Sequence, residues 1–462
     1  MKFTITTLGC KVNQYESQAM EKWLGGRGWT QAGPGEDFDL AIVNTCTVTA
    51  VADKKNRNVI RRLRKQCPEA VLGVCGCYSQ IKPEDVRELG ADVISGSGGR
   101  EAFLQLCLET LADRQRRESL DEALKRRDFE LLPAGGLAAR TRAMLKVQDG
   151  CSNFCSYCII PYARGPVRSL PLAEAVAQAR QLAAEGYREI VVTGIEVASW
   201  GWDFHDGSRL PALIDAICRA VPALRVRLGS LEPRIVDEAF CRLNRHENLC
   251  PHFHLSMQSG SDGILARMRR KYDTARYYES VRLLKEAFPG CAVTTDMIVG
   301  FPGETEEEFA ESLAFIRACG FAAMHVFPYS RRPGTPADQM PGQLGNAVKE
   351  ARSAAAIAAA AEMNRAYREA MVGTVQAVLF EEEATGNRQQ ATGDETQNAK
   401  CKMQNETTGH SVGGGALDAP LWTGHAPNSI RVYAPGAEMH NLVLPVKITG
   451  LYEDGLLGET VL

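Results

Sequence analysis

Three cysteines lie close together about a third of the way along the sequence: Cys151, Cys155 and Cys158, with the spacing C-x3-C-x2-C. Cysteine thiolates hold iron–sulfur clusters, and a [4Fe–4S] cube ordinarily takes four of them. Three local cysteines without a fourth would leave one iron open to a substrate. A zinc site also needs four ligands and accepts histidine, but none of the eight histidines lies near this loop. The spacing therefore predicts an iron–sulfur cluster with one open iron.

A second set of three cysteines follows three predicted strands of the N-terminal region. Strand-like and helix-like segments alternate over residues 1–110, with the first helix at 17–27, which predicts a parallel sheet with helices on both faces. Cys10, Cys46 and Cys77 come directly after the first, second and third strands. Ligands gather at the carboxyl ends of parallel strands, so these thiols can converge on a second cluster. Three unrelated core cysteines fit the sequence as well, and Cys75, nearer its strand, is predicted to be a buried structural thiol.

Composition limits the class of protein. A length of 462 residues predicts two or three domains, and a net charge of −3 provides no general attraction to nucleic acid. There is no secretory signal and no apolar run long enough to cross a membrane, so we expect a cytoplasmic protein without a membrane partner. The 15 cysteines should then stay reduced, which favours metal or redox chemistry over disulfides.

The chain divides into four predicted parts. A parallel α/β domain at 1–112 is followed by a densely charged linker at 113–136. About six strand–helix units at 137–370 suit a partial (β/α) barrel, where chemistry sits at the carboxyl ends of the strands. An Ala- and Arg-rich helix at 346–369 leads to an all-β domain at 371–462. Small β-barrels of this size commonly bind RNA. The polar stretch 385–420 is predicted to be an insertion in that domain.

These motifs resemble the methylthiotransferase family of radical S-adenosylmethionine (SAM) enzymes. The resemblance rests on Leu-Gly-Cys-Lys-Val-Asn at 8–13, Asn-Thr-Cys at 44–46 and Gly-Cys-Tyr-x-Gln at 76–80, followed by C-x3-C-x2-C. The sequence at 10–17 is most similar to the branch that modifies threonylcarbamoyladenosine in tRNA. The resemblance implies a flavodoxin-like N-terminal domain, a partial radical SAM barrel and a small C-terminal TRAM-type barrel.

The same resemblance implies two [4Fe–4S] clusters and SAM as cofactors. Cys151, Cys155 and Cys158 would hold the catalytic cluster that cleaves SAM, and Cys10, Cys46 and Cys77 an auxiliary cluster that takes part in sulfur delivery. The implied partners are the anticodon stem-loop of tRNA and a reductant such as flavodoxin or ferredoxin.

Further residues at the predicted strand ends are expected to bind the cofactor. In the family, the position of Thr193, Gly194 and Glu196 contacts the SAM amino group, and the strand that holds Val299 binds adenine. The hydroxyl of Ser256 and the amide of Gln258 suit a ribose or the methionyl carboxylate. Tyr157, inside the cluster loop, is expected to pack beside SAM.

Two basic features leave alternatives open. Arg164 and Arg168 follow the cluster loop, where a guanidinium can grip the SAM carboxylate or an RNA phosphate, or form a salt bridge that stiffens the loop. The predicted helix at 53–65 carries seven basic residues, which form either a solvated face or a phosphate-binding surface.

The implied reaction attaches a methylthio group to C2 of threonylcarbamoyladenosine at position 37 of tRNA. An aromatic C–H is too strong and too weakly acidic for general-base chemistry, which is the physical reason to use a radical. Three alternatives remain open from the sequence. They are methylthiolation of isopentenyladenosine in tRNA, methylthiolation of a ribosomal-protein aspartate, and a non-catalytic iron–sulfur protein that binds RNA.

Overall fold

The computed structural model describes residues 1–135, 141–384 and 419–461, which form two compact units, Met1–Tyr367 and Arg368–Leu462. The first unit holds both cysteine sets, and the second is a small all-β barrel. None of the described helices combines the length and apolar character needed to cross a membrane.

The N-terminal part of the first unit is a parallel sheet with helices around it. Its strands are β1 (Lys2–Thr7), β2 (Thr30–Gln31), β3 (Leu40–Thr45), β4 (Val71–Gly76), β5 (Val93–Ser95) and β6 (Arg117–Ser119). Its helices are α1 (Lys11–Gly25), α2 (Ala50–Gln66), α3 (Cys77–Ile81), α4 (Pro83–Glu88) and α5 (Arg100–Asp113). The strand order is β2-β1-β3-β4-β5-β6, with every pair parallel, so the loops after β1, β3 and β4 meet at one edge.

Two sequence predictions need correction in this region. The stretch 113–136, predicted to be a linker, contributes the edge strand β6, which escaped notice because a short edge strand carries charges instead of an apolar pattern. Helix α1 begins at Lys11, directly after Cys10, whereas the sequence predicted a start at Ser17. Its first turns bury polar side chains, among them Asn13 and Glu16, so the usual apolar signal is missing there.

The central part of the first unit is the predicted partial barrel. Its strands are β7 (Arg142–Lys146), β8 (Gln148–Asp149), β9 (Arg168–Ser169), β10 (Glu189–Thr193), β11 (Arg225–Leu228), β12 (His252–His254), β13 (Ala292–Val299) and β14 (Ala323–Pro328). Strands β7, β10 and β11 form one parallel sheet and β12 to β14 another, joined by parallel bridges such as Leu231 to Leu255. The helices are α6 (Ile160–Arg164), α7 (Leu172–Ala184), α8 (Leu210–Ala220), α9 (Glu238–Cys241), α10 (Asp262–Arg267), α11 (Thr274–Ala287) and α12 (Glu306–Cys319).

One apolar core supports all six long barrel strands. It includes Leu145, Ile190, Val226, Phe253 and Met297, each nearly or wholly inaccessible to solvent. Helix α12 begins with a reciprocal capping box, which the Thr305 hydroxyl and the Glu308 carboxylate form. The rigid barrel thus presents its strand ends, with their loops, at one rim.

A two-strand ribbon closes the base of the loop that carries Cys151, Cys155 and Cys158. Strands β8 and β9 pair antiparallel, with Gln148 opposite Ser169 and Asp149 opposite Arg168. The Ser169 hydroxyl donates to Asp203 at 2.5 Å, and Pro171 precedes α7.

The second unit is a closed five-stranded barrel, preceded by α13 (Asn346–Glu369), which matches the predicted helix. Its strands are β15 (Val375–Glu383), β16 (Leu421–His425), β17 (Arg431–Pro435), β18 (Val443–Tyr452) and β19 (Gly455–Thr460), in the order β15-β16-β17-β19-β18. This confirms the predicted small all-β barrel, although β16 was not predicted. Apart from its last two residues, the predicted insertion at 385–420 lies outside the described residues.

Candidate active site

Cys10, Cys46 and Cys77 meet at the edge of the N-terminal sheet. Cys10 directly precedes α1, Cys46 directly follows β3, and Cys77 opens α3 directly after β4. Burial, together with the nearby Cys10 and Cys77 thiols, raises the pKa of Cys46 to about 12. Cys75, in contrast, lies within β4 and is completely buried. The strand ends therefore bring three thiols from distant parts of the sequence together.

Two glycines permit this convergence. Gly9 has φ +108°, and a Cβ there would lie 2.5 Å from the Cβ of Cys46. Gly76 has φ +109°, and a Cβ there would overlap the backbone of Thr45. Since side-chain-bearing residues rarely adopt this backbone conformation, glycine is needed where the cysteine loops approach each other.

We expect Gly76→Ala to lower the free energy of unfolding by roughly 2–3 kcal/mol, because it combines an unfavourable φ with a backbone clash. Gly90→Ala is the matched control, since Gly90 also has a positive φ, +79°, but no atom lies within 4 Å of the point that its Cβ would occupy. It should cost only about 1 kcal/mol. Chemical denaturation of the cluster-free protein measures both, and equal losses would contradict the clash.

Two buried asparagines hold the loops of this triad. The amide of Asn13 donates to the carbonyls of Leu8 at 2.8 Å and Thr45 at 2.9 Å. Asn56, on α2, accepts from the N–H of Cys46 at 3.3 Å and donates to its carbonyl at 2.6 Å. Asn13 belongs to the motif at 8–13, whereas no sequence signal singled out Asn56.

Cys151, Cys155 and Cys158 lie together on the loop above the β8–β9 ribbon. The N–H of Cys151 donates to the Gly165 carbonyl at 2.9 Å, and Ser156 binds α10 through its hydroxyl and the Arg267 carbonyl at 2.8 Å. Burial, followed by the nearby Cys155 thiol, raises the pKa of Cys158 to about 12. The Cys77 thiol raises it further, so the two cysteine triads lie close enough to interact electrostatically.

Arg270 is a site residue that the sequence did not reveal. Its Nη1 donates to Cys155 Sγ at 3.3 Å and its Nη2 to the carbonyl of Ser256 at 3.1 Å. Its Nε donates to the hydroxyl of Tyr272 at 3.0 Å. A guanidinium in this position stabilises a thiolate against the cost of burial. The residue lies in a basic run after α10 that has no distinctive spacing.

Arg164 forms the salt bridge that the sequence left open as the alternative to binding SAM or RNA. Its side chain is completely buried, and its Nε donates to Cys77 Sγ at 3.3 Å. Nη1 donates to Glu16 at 2.7 Å, and Nη2 to the Asn13 side chain at 2.6 Å. All three nitrogens are thus occupied at the N-terminal triad. Arg168 pairs with Asp149 at 3.4 Å, which is the salt-bridge alternative.

Buried charges beside Cys77 do not balance within the protein. Three carboxylates, the buried Glu16 and Asp149 and the partly exposed Glu130, face four cations, which leaves an excess of one positive charge; the cations are Arg100, Lys146, Arg164 and Arg168. Although burial opposes ionisation, Arg100 and Arg164 hold the pKa of Glu16 well below its usual range. Buried charge is costly unless compensated. An anionic group on Cys77, such as a thiolate-bound iron–sulfur cluster, fits this surplus.

No three His, Cys, Asp or Glu side chains in the described parts of the chain converge tightly enough for a single metal ion. Thiols that hold a cube bind separate corner irons, and therefore stand farther apart than the ligands of one ion. The donor sets are accordingly of the type that suits a cluster.

Glu196 forms no salt bridge with any of the described residues, although the positive charge of Arg270 acts on it. Burial, reinforced by the negative charge of Glu232, raises its pKa to about 8. Among the described residues, its Oε1 has no hydrogen-bond partner. The backbone N–H of Glu196 donates to Gln148 at 2.8 Å, and a Cβ at Gly194 would lie 2.7 Å from the same Gln148 oxygen. Thr193 ends β10 beside this turn. The arrangement suits a small cationic group such as an ammonium.

We expect Glu196→Gln to weaken SAM binding by about ten-fold or more, because a charge-assisted hydrogen bond is lost. From pH 6 to 8 the carboxyl of Glu196 ionises, so the ratio of variant to wild-type Kd should grow with pH. Calorimetric titration of cluster-loaded protein measures this. Glu238→Gln is the control, since Glu238 is exposed on α9 and pairs with Arg242 at 2.7 Å. A pH-independent ratio would refute the role of Glu196.

The remaining predicted cofactor residues lie at the same rim of the barrel. Ser256 follows β12, and its carbonyl accepts hydrogen bonds from Tyr272 and Arg270. Gln258 has φ +71° and bridges to β13, whose last residue is Val299. Tyr157 packs against an apolar group that includes Phe301 and Tyr329. Their contacts with SAM stay predictions.

Comparison with known proteins defines the class first. Residues 145–316 match the Radical SAM superfamily, and residues 2–96 match a family described as uncharacterized, UPF0004. Among solved structures, the fold is similar to the radical S-adenosylmethionine methyltransferase TsrM from Kitasatospora setae, solved with cobalamin and a [4Fe–4S] cluster bound. The TM-score is 0.55 at 16% identity, covering 73% of this chain and 77% of that one. The protein thus has the radical SAM fold.

Curated relatives then define the family. The chain is 41% identical over 378 residues to the threonylcarbamoyladenosine tRNA methylthiotransferase MtaB of Bacillus subtilis, covering 81% of this chain and 84% of that protein. It is 34% identical over 391 residues to the tRNA-2-methylthio-N(6)-dimethylallyladenosine synthase of Caldicellulosiruptor saccharolyticus, covering 82% of each. The chain belongs to the radical SAM tRNA methylthiotransferases. It is therefore a transferase that uses SAM and [4Fe–4S] clusters and acts on tRNA.

Proposed function

We propose that the protein attaches a methylthio group to C2 of N6-threonylcarbamoyladenosine at position 37 of tRNA, beside the anticodon. The observation that carries this proposal is the pair of cysteine triads, which approach each other at Cys77 and Cys158. Relatives from three organisms support this choice of substrate, since the MtaB proteins of Bacillus subtilis, Aquifex aeolicus and Thermotoga maritima are named for it.

Each triad has a separate role. Cys151, Cys155 and Cys158 hold the cluster of the barrel, and Cys10, Cys46 and Cys77 hold the auxiliary cluster where the transferred sulfur is placed. When bound, the barrel cluster would supply the electron that cleaves SAM to a radical. The auxiliary cluster, with SAM as methyl donor, would supply the methylated sulfur.

The protein side chains position these groups. Glu196 would accept a hydrogen bond from the SAM ammonium, while Ser256 and Gln258 would bind the ribose or the methionyl carboxylate. Arg270 and Arg164 each donate to one cluster thiolate, Cys155 and Cys77 respectively.

Position 37 is accessible to such a site because anticodon loops present unstacked bases, which proteins can draw out of the stack. The protein acts in the cytoplasm, with flavodoxin or ferredoxin as the source of electrons.

Nucleoside mass spectrometry of tRNA tests the proposal directly. Total tRNA from cells lacking the gene should have lost 2-methylthio-threonylcarbamoyladenosine, and a plasmid copy should restore it. An unchanged level would overturn the substrate assignment. Loss of the 2-methylthio isopentenyl analogue instead would identify the substrate named for the Caldicellulosiruptor relative.

A further inference from the structure

Helix α2 presents a row of unpaired positive charges to solvent. This basic stripe consists of the exposed residues Lys54, Lys55, Arg61, Arg62 and Lys65. Among the described residues, none forms a hydrogen bond or an ion pair with any of these five side chains. A row of five cations without acidic partners contrasts with the chain as a whole, whose net charge is −3.

The other two basic residues of α2 behave differently. Arg57 donates to the Tyr78 hydroxyl at 3.3 Å, and Arg64 folds back onto the carbonyls of Pro68 and Ala70 at 3.0 and 2.9 Å. The only acid on the helix, Asp53, is buried and paired with Arg332 at 3.1 Å. Arg57, Arg64 and Asp53 therefore contact the rest of the fold, whereas the side chains of the basic stripe have no partner among the described residues.

The stripe begins beside the active site. Helix α2 starts four residues after Cys46, and the N–H of Ala50 donates at 3.3 Å to Ser330, which follows barrel strand β14. Val48 and Val51, 47% and 62% exposed, lie between the cysteine and the first lysines. At 1.5 Å per residue, the cations from Lys54 to Lys65 span about 16 Å along the helix. Apolar side chains thus lie near the clusters and cations farther out.

We propose that the basic stripe binds the phosphate backbone of the RNA substrate next to the modified loop. This inference rests on the proposed function and deepens it by assigning an RNA-binding surface to the N-terminal domain. Phosphates follow one another along a strand, and the cations of α2 lie on one side of the helix over a comparable length, so that binding would release condensed counterions. The exposed valines near Cys46 suit contact with unstacked loop bases.

An acidic electron-transfer protein is the competing occupant of the basic stripe. Such a protein would need to approach the cluster itself, whereas the stripe extends away from the site in a line. The linear spacing favours a polyanion strand, and measurements of RNA affinity and of cluster reduction distinguish the two occupants.

The test uses the full-length enzyme with both clusters and a synthetic anticodon stem-loop RNA that carries threonylcarbamoyladenosine at position 37. Binding is measured over a range of KCl concentrations for wild type and for Arg61→Gln/Arg62→Gln. Arg180→Gln/Arg209→Gln is the matched control, because both arginine side chains are exposed and unpaired among the described residues but lie on the barrel. Turnover is measured with dithionite, a small reductant that needs no protein docking.

We expect the α2 double variant to raise the Kd for RNA about ten-fold and to reduce the slope of log K against log salt by about 1.5, since two phosphate contacts are lost. With dithionite, the KM for RNA should rise while kcat at saturating RNA is retained. The control variant should match wild type in all these quantities.

Three outcomes would overturn the inference. If RNA affinity and salt slope are unchanged in the α2 double variant, the basic stripe does not bind RNA, and the proposed function still stands. Unchanged RNA binding with slower reduction by flavodoxin would assign the stripe to the electron donor. A wild-type enzyme that neither binds nor modifies this RNA would overturn the proposed function and the inference with it.

Discussion

Replacing Cys151 with alanine should reduce methylthiolated product below detection, a loss of at least about 10⁴-fold, because no other chemistry in the site can activate an aromatic C–H. Two thiolates cannot hold the cluster that leaves one iron open to SAM. Both 5′-deoxyadenosine release and methylthio-nucleoside formation should disappear together. Liquid chromatography with mass spectrometry of reaction mixtures measures both products.

Cys75→Ala is the matched control for this experiment. Cys75 is completely buried in β4, two positions from Cys77, and belongs to neither triad. This variant should keep both activities and lose only some stability. Retained product in Cys151→Ala, or equal loss in Cys75→Ala, would contradict the assignment of ligands.

Replacing Arg164 with glutamine should make the cluster at the N-terminal triad harder to reduce and lower product formation by at least about ten-fold. Hydrogen bonds to cluster sulfurs and nearby positive charge stabilise the reduced, more negative state. Arg164 supplies both, through its contact with Cys77 Sγ at 3.3 Å. An electron paramagnetic resonance titration should show a more negative midpoint potential, which Arg164→Lys should partly restore.

Breaking any buried ion pair is destabilising by about 3–5 kcal/mol, so stability alone cannot test this role. Arg227→Gln is the matched control, since Arg227 is buried and bonds Glu189 at 2.6 Å, within the sheet of the barrel. It should destabilise the protein to a similar extent while leaving the cluster potential unchanged. A potential that shifts equally in both variants would assign the effect to unfolding.

The convergence of the three N-terminal cysteines could be predicted from sequence, whereas the role of all six as cluster ligands stays a prediction. Cys10, Cys46 and Cys77 each follow a strand that has its own local pattern, and parallel pairing then brings those strand ends together. The partial barrel followed from the same alternation of strands and helices. The predicted start of a helix was wrong where the buried side chains are polar, as in the first turns of α1.

Arg164 and Arg270 could not be assigned from sequence because their partners are distant. Arg164 bonds Cys77 across 87 residues and Glu16 across 148, and Arg270 bonds Cys155 across 115. A basic residue beside a cluster loop is compatible with a ligand, a phosphate or a carboxylate until the fold shows which is near. The surplus of buried positive charge is likewise a sum over several segments of chain, which no local pattern carries.

The contact between Arg164 and Cys77 also sets an order of assembly during synthesis. The chain leaves the ribosome from its N-terminus at about 5–20 residues per second, so Arg164 follows Cys77 by about 4–17 seconds. Until then the N-terminal sheet can fold, but its triad lacks the cation that accommodates a buried anionic cluster. We therefore expect insertion of the N-terminal cluster to be a late step of maturation, after the barrel loop has been made and has docked.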